Sequence, residues 1–212
     1  MADRTSLDVV TEALGASPTR PFTETVELAI NLKEIDLTVP KNRIEEEIPL
    51  PHGRGRPVTV ALFGSAEMCQ RARGVADRVI ASSEIDEVVK DKKGAKKLVS
   101  EVDFFLAEAP LMPTIGKRLG VVLGPRGKMP RPLPPGSDPT NLIGALKRSI
   151  RIRSKGSRTF HTAVGTRQMP AEQIAGNVDA VLNRVVGKLE RGRSNIESVY
   201  VKTTMGPAVR LW

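Results

Sequence analysis

The chain has 212 residues, with 33 Lys and Arg against 24 Asp and Glu, a formal charge of +9 and a pI near 10.0. Its 40% apolar content supports a packed core and excludes wholesale disorder, while the excess of cations favours a polyanionic partner, nucleic acid ahead of an anionic membrane surface. Asp3 and Asp8 sit where a secretory segment needs an apolar run, and the longest uncharged stretch, residues 57–66, is far short of the ~20 residues of a membrane span, so a cytoplasmic protein with no membrane contact is expected.

The first element is an amphipathic helix over residues 6–14, capped by Thr5 or Ser6 and stopped by Gly15. A strand follows in TETVELAINL, where Val26, Leu28, Ile30 and Leu32 alternate with Thr25, Glu27, Ala29 and Asn31, one face buried and the other wet. RIEEEIPL repeats the pattern with Ile44, Ile48 and Leu50, and PHGRGRP reads as a linker. VTVALFG is a continuous apolar run of the kind found in parallel strands covered on both faces. Helix from about Ala66 to Val75, strand DRVIA, helical SEIDEVVKD and AKKLVSE, and strand DFFLAE come next, and the alternation continues through LMPTIGKRLGVVLG and NLIGALKRSI. After a second Gly-containing hinge, SKGS, come strand RTFHTAVG, a helix from Ala171 to Glu190, and strands ESVYVKTT and AVRL. In that helix Ile174, Val178, Val181, Leu182, Val185 and Leu189 share a face, with Pro170 at its start and Gly192 after its end.

Neither terminal segment has enough apolar faces to close a core alone. The expected fold is therefore an α+β outer domain, an antiparallel sheet with helices, built from residues 1–53 and 155–212. A three-layer, Rossmann-like α/β domain over residues 54–154 is inserted through two adjacent hinges. With those boundaries the ends sum to zero charge and the middle carries nineteen basic against ten acidic residues, the whole +9.

No catalytic constellation emerges. Cys69 is a lone cysteine best read as a buried helix residue, and with His52 and His161 it gives no zinc spacing, so neither metal nor cofactor is expected. LGPRGKMPRPLPPG offers Arg126, Lys128 and Arg131 on a glycine-containing loop, but a Walker loop needs Gly at Val122 and Ser or Thr at Met129, and the prolines at 125, 130, 132, 134 and 135 forbid the helix that would hold phosphates. It reads as a Pro-stiffened basic loop, either a secondary RNA contact or merely solvated. In SVYVKTTMGP, Ser198, Tyr200, Lys202 and Thr204 share a face ahead of a Met205-Gly206-Pro207 turn. Such a row can bond 2′-hydroxyls and phosphates, or be an ordinary solvent face. Aromatic residues make up only 3%, which argues for recognition of RNA by shape and sugar contacts over a stacking platform.

FTETVELAINL, LPHGRG, LGPRGKMPRP, FHTAVG and SVYVKTTMGP, in this order and spacing, closely resemble the L-one family of large-subunit ribosomal proteins, the stalk protein at the tRNA exit site. VPKNRIEEEIPLPHGRGRP and GPRGKMP are of its archaeal type. The resemblance implies that the domain built from both termini grips ribosomal RNA of the stalk, through residues matching Phe22, Thr25, Glu27, His161, Ser198, Thr204, Met205 and Gly206. Pro21 stands where members often carry Lys, and Lys202, where bacterial members often carry Thr, is added to the set as a compensating cation. It further implies a monomer within the ribosome, an inserted domain that moves as deacylated tRNA leaves the exit site, and repression of translation by binding the protein's own operon mRNA.

Overall fold

The computed structural model describes residues 4–212, apart from the side chain of Lys92, and divides the chain into two units, residues 1–56 with 148–212 and residues 57–147. The first unit is built on a four-stranded antiparallel sheet, order β10-β9-β1-β8, of β1 (Thr25–Leu32), β8 (Thr159–Thr166), β9 (Ile196–Thr203) and β10 (Val209–Arg210). Helices α1 (Ser6–Gly15) and α7 (Ala171–Lys188) supply its core: Val9, Val10 and Ala13 from α1, and Ile174, Val178, Val181, Leu182 and Val185 from α7, meet Val26, Leu28, Ile30 and Leu32 of β1. Each fully buried apolar side chain of this set contributes roughly 1.5–3 kcal/mol. Thr5 caps α1, its hydroxyl accepting from the Asp8 N–H at 3.2 Å.

A two-stranded ribbon of β2 (Glu45–Pro49) and β7 (Ser149–Arg153) completes the first unit. This corrects the expected division, which assigned residues up to 154 to the inserted domain. Ile150 and Ile152 are buried with Ile44 and Ile48 in the same core as α7, and Glu45, Glu46 and Glu47 pair with Arg153, Arg184 and Arg151. The first boundary also moves. PHGRGRP is not a free linker, because Asn177, fully buried in α7, accepts from the His52 N–H at 3.2 Å and donates to the carbonyls of Gly53 at 2.7 Å and Val164 at 2.8 Å. Gly55 has φ +74° and lies against the Met169 and Thr166 side chains, leaving no room for a Cβ.

The new boundaries redistribute the charge. Arg54, Arg56, Arg148, Arg151 and Arg153 join the first unit, which then holds 19 basic against 14 acidic residues, and the second holds 14 against 10. The expected neutral outer domain is in fact the slightly more basic of the two.

The second unit is a parallel sheet, order β4-β3-β5-β6, of β3 (Val60–Gly64), β4 (Arg78–Ala81), β5 (Phe104–Glu108) and β6 (Arg131–Leu133). Side chains alternate between two cores. Ala61, Phe63, Phe105 and Ala107 meet α3 (Ile85–Lys90), α4 (Lys92–Glu101) and α5 (Met112–Leu123) on one face; Val60, Leu62, Phe104 and Leu106 meet α2 (Ala66–Ala72) and α6 (Thr140–Lys147) on the other. Strands covered on both faces carry no wet positions, which is why VALFG is apolar throughout and FFLAE is apolar up to its last residue, Glu108. Residues 131–133, expected as loop, form the edge strand; Pro132 is tolerated there because an edge leaves backbone donors unpaired in any case.

Candidate functional site

The sheet of the first unit carries its helices on one face. On the other, register places three rows of side chains across the strands. Lys202, Glu27 and Ala163 form one row; Arg210, Tyr200, Ala29 and His161 the next; Ser198, Asn31 and Thr159 the third. In the third row the Asn31 amide donates to Ser198 Oγ at 2.7 Å, and Thr159 Oγ1 donates to Asn31 Oδ1 at 2.7 Å. Ser198, expected as an exposed hydroxyl, is only 7% exposed; it accepts from Asn31, next to a bulge between Asn31 and Leu32.

At the Thr25 end of β1 the chain after β9 turns sharply through Thr204, Met205 and Gly206, and this turn is docked on β1. The Thr204 N–H donates to the Thr25 carbonyl at 3.0 Å, and the Thr25 N–H donates to Thr204 Oγ1 at 3.2 Å. Glu24, one residue earlier, is buried. Its carboxylate accepts from the Met205 N–H at 3.2 Å, from Ser17 Oγ at 3.1 Å and from Arg167 Nη1 at 2.9 Å, with Arg20 Nε at 3.5 Å. Arg167 also donates to the carbonyls of Ser17 at 2.7 Å and Pro18 at 2.8 Å, lacing the segment after α1 to the sheet. Gly206 is required by space, since a Cβ there would overlap Thr203 Oγ1 and lie 3.0 Å from Ser17 Oγ. Phe22 and Met205 stand out of this scaffold as large apolar side chains, 52% and 59% exposed.

Burial would raise the pKa of Glu24, but the hydrogen bonds from Arg167, the Met205 N–H, Ser17 and Thr203 outweigh it and hold the carboxyl below its ordinary value of 4.5. Because the folded value is depressed, this group's stabilisation is complete above the unfolded value and is lost as pH falls through the folded one. The amide resonances of Met205 and Gly206 are therefore expected to be unchanged between pH 8 and about 5, and to shift below ~4.5 as Glu24 protonates. Movement centred near neutrality would contradict the assignment.

Phe22, Thr25, Thr204, Met205 and Gly206 thus gather at one end of the sheet, while Glu27, Lys202, His161 and Ser198 lie on its open face. Arg126, Lys128 and Arg131 belong to the second unit, where Lys128 and Arg126 serve the fold. Lys128 Nζ donates to the carbonyls of Val99 at 2.8 Å and Val102 at 2.5 Å, closing the C-terminus of α4, and Arg126 Nη1 donates to the Lys96 carbonyl at 2.6 Å. Sequence reasoning missed Glu24, Arg167, Ser17 and Asn31. Glu24 and Arg167 are 143 positions apart, and nothing local marks either as a partner of the other.

The crevice between the C-terminal ends of β3 and β5, where α/β sheets bind nucleotides, is taken by protein. The Glu108 carboxylate, nearly buried, accepts from the Ser65 N–H at 2.7 Å and Ser65 Oγ at 3.1 Å, putting a negative charge where a phosphate would sit. Cys69 is buried in α2 and burial pushes its thiol pKa up, the opposite of an activated nucleophile. Among the described residues no group of His, Cys, Asp and Glu could hold a metal ion.

The first unit thus presents an open sheet face with a docked turn at one end. Residues 14–207 match the ribosomal protein L1p/L10e family, and the chain belongs to that family, which is one of ribosomal proteins and not of enzymes. Its relatives include proteins named large ribosomal subunit protein uL1 from three archaea. That of Thermoplasma volcanium is 58% identical over 92% of this chain and 90% of its own; that of Methanocella arvoryzae is 53% identical over the full length of both. The Haloquadratum walsbyi protein is 48% identical over all of this chain and 99% of its own.

Proposed function

We propose that the first unit binds ribosomal RNA of the mobile stalk of the large subunit, in the cytoplasmic ribosome, through the docked turn and the adjoining sheet face. The observation that carries this reading is the Thr204–Gly206 turn, fixed to β1 by the Thr25 backbone and the Glu24 carboxylate, with Met205 within it and Phe22, two residues before Glu24, both exposed. Fixed backbone and hydroxyl groups suit recognition by sugar and phosphate contacts, and the two apolar side chains suit unstacked bases. With the ribosomal RNA held, the second unit is free to follow the stalk as deacylated tRNA departs from the exit site. The same surface serves an mRNA that imitates the ribosomal site, so the protein represses its own operon. One molecule then binds either RNA but not both at once.

Filter binding to a stalk fragment of ribosomal RNA tests the central part. Thr204→Val removes the hydroxyl and its hydrogen bonds, a loss of about 1–3 kcal/mol, or roughly 5- to 150-fold in affinity. An unchanged Kd at matched salt would move the contact surface elsewhere.

A further inference from the structure

The middle row of the open face contains a feature that the docked turn does not use. Tyr200 is the only tyrosine in the chain, and the alternation of β9 settles its direction: Val199 and Val201 are both in the core, so Tyr200 faces the open side. It lies directly opposite Ala29 on β1, and His161 lies opposite Ala29 on β8. Directly opposed side chains on neighbouring strands start from Cβ atoms about 5 Å apart, so the tyrosine and the imidazole bracket one small side chain over a span of about 10 Å. Ala29 is only 8% exposed beneath them, while Tyr200 itself is half-buried and His161 exposed. Arg210, opposite Tyr200 on β10, ends the row with an exposed cation. About 7 Å along the strands lie the Asn31 amide and the Thr159 hydroxyl on one side, and Glu27 and Lys202 on the other.

A four-stranded sheet that shows a ring from each of two strands flanking a central one, with hydrogen-bonding groups a step away, has the makings of a platform for a single-stranded nucleotide. We propose that Tyr200, with His161 beside it, stacks one unpaired base of the bound RNA, that Asn31 and Thr159 meet the edge of that base, and that Arg210 meets its phosphate. This rests on the RNA-binding reading above and adds to it a subsite for a flipped or bulged nucleotide on the sheet face. It also revises the expectation that sparse aromatics exclude stacking. What matters is where the one tyrosine stands.

The lone tyrosine gives a clean reporter. In the full chain labelled at the tyrosine ring, adding the stalk fragment of ribosomal RNA is expected to move the Tyr200 ring resonances upfield by stacking, and a fully paired duplex of the same length is expected to leave them in place. Tyr200→Ala is expected to weaken binding of the fragment about 5- to 150-fold and Tyr200→Phe to leave it within about twofold, since the ring and not the hydroxyl carries the contact. If the fragment binds while the ring signals stay still and Tyr200→Ala binds as wild type, the platform is refuted and the docked-turn reading stands. An equal shift with the duplex overturns the unpaired base. If the full chain binds neither RNA, both readings fail together. Tyr200→Phe and the labelled wild-type chain keep the test decisive even where Tyr200→Ala folds poorly.

Discussion

Arg167→Met is expected to lower stability by about 3–5 kcal/mol, because it takes from the buried Glu24 carboxylate the nearer of its two guanidinium partners, leaving only Arg20 at 3.5 Å. In a chain of this size that corresponds to a fall in melting temperature of roughly 6–20 °C for the unit that contains it. The size of the effect comes from what remains, not from what is removed. The Glu24 side chain is wholly out of solvent and that of Arg167 is 24% exposed, so water cannot take the place of the lost guanidinium. The variant also loses the guanidinium's hydrogen bonds to Ser17 and Pro18, which hold the segment between α1 and β1. A functional consequence follows, since Glu24 is the acceptor that fixes the Met205 N–H and hence the turn. RNA affinity should fall together with stability even though Arg167 itself need not touch RNA. Thermal unfolding and filter binding on the same preparation check both. A melting temperature within 2 °C of wild type would show that the network contributes far less than its burial implies.

Much of this fold can be read from periodicity. VELAINL announces β1 by alternation, and Ile174, Val178, Val181, Leu182 and Val185 announce the buried stripe of α7 by their helical spacing. These signals are local, and local signals survive without knowledge of partners. The errors fall where pairing is long-range. SIRIR reads as the close of an α/β segment because it follows a helix and a strand run, yet its partner is EEEIP, a hundred residues upstream. PHGRGRP looks like a linker by its glycines and prolines, and only the buried Asn177 from α7 shows it to be pinned. GPRGKMP illustrates the same limit for charge, since composition cannot tell that the Lys128 ammonium is bonded to carbonyls at the end of α4.

The candidate site divides along the same line. Thr25, Thr204, Met205 and Gly206 were named through a family resemblance, and the structure brings them together at one end of the sheet. What holds them there, Glu24 with Ser17 and Arg167, is invisible in sequence because each residue alone reads as an ordinary polar surface position. Tyr200 is likewise unremarkable in a string, and gains its meaning from Ala29 and His161 across two strand pairs.

The division of labour between the two units is the central claim, and it can be tested by cutting the chain where the contacts divide. Residues 1–56 joined to residues 148–212 through a short Gly-Ser linker retain α1, α7, all four strands of the antiparallel sheet and the β2–β7 ribbon, a complete core of their own. A junction at 53 and 155, by contrast, would remove β7 and strip Ile44 and Ile48 of their partners. The decisive measurement is the affinity of the 1–56/148–212 chain for the stalk fragment of ribosomal RNA, at the same salt as the full chain. The expected result is a cooperatively folded protein whose Kd lies within about tenfold of the full-length value, a loss of no more than ~1.4 kcal/mol. A folded chain that fails to bind, with binding retained by residues 57–147 alone, would place the grip on the ribosomal RNA in the α/β unit and contradict the claim.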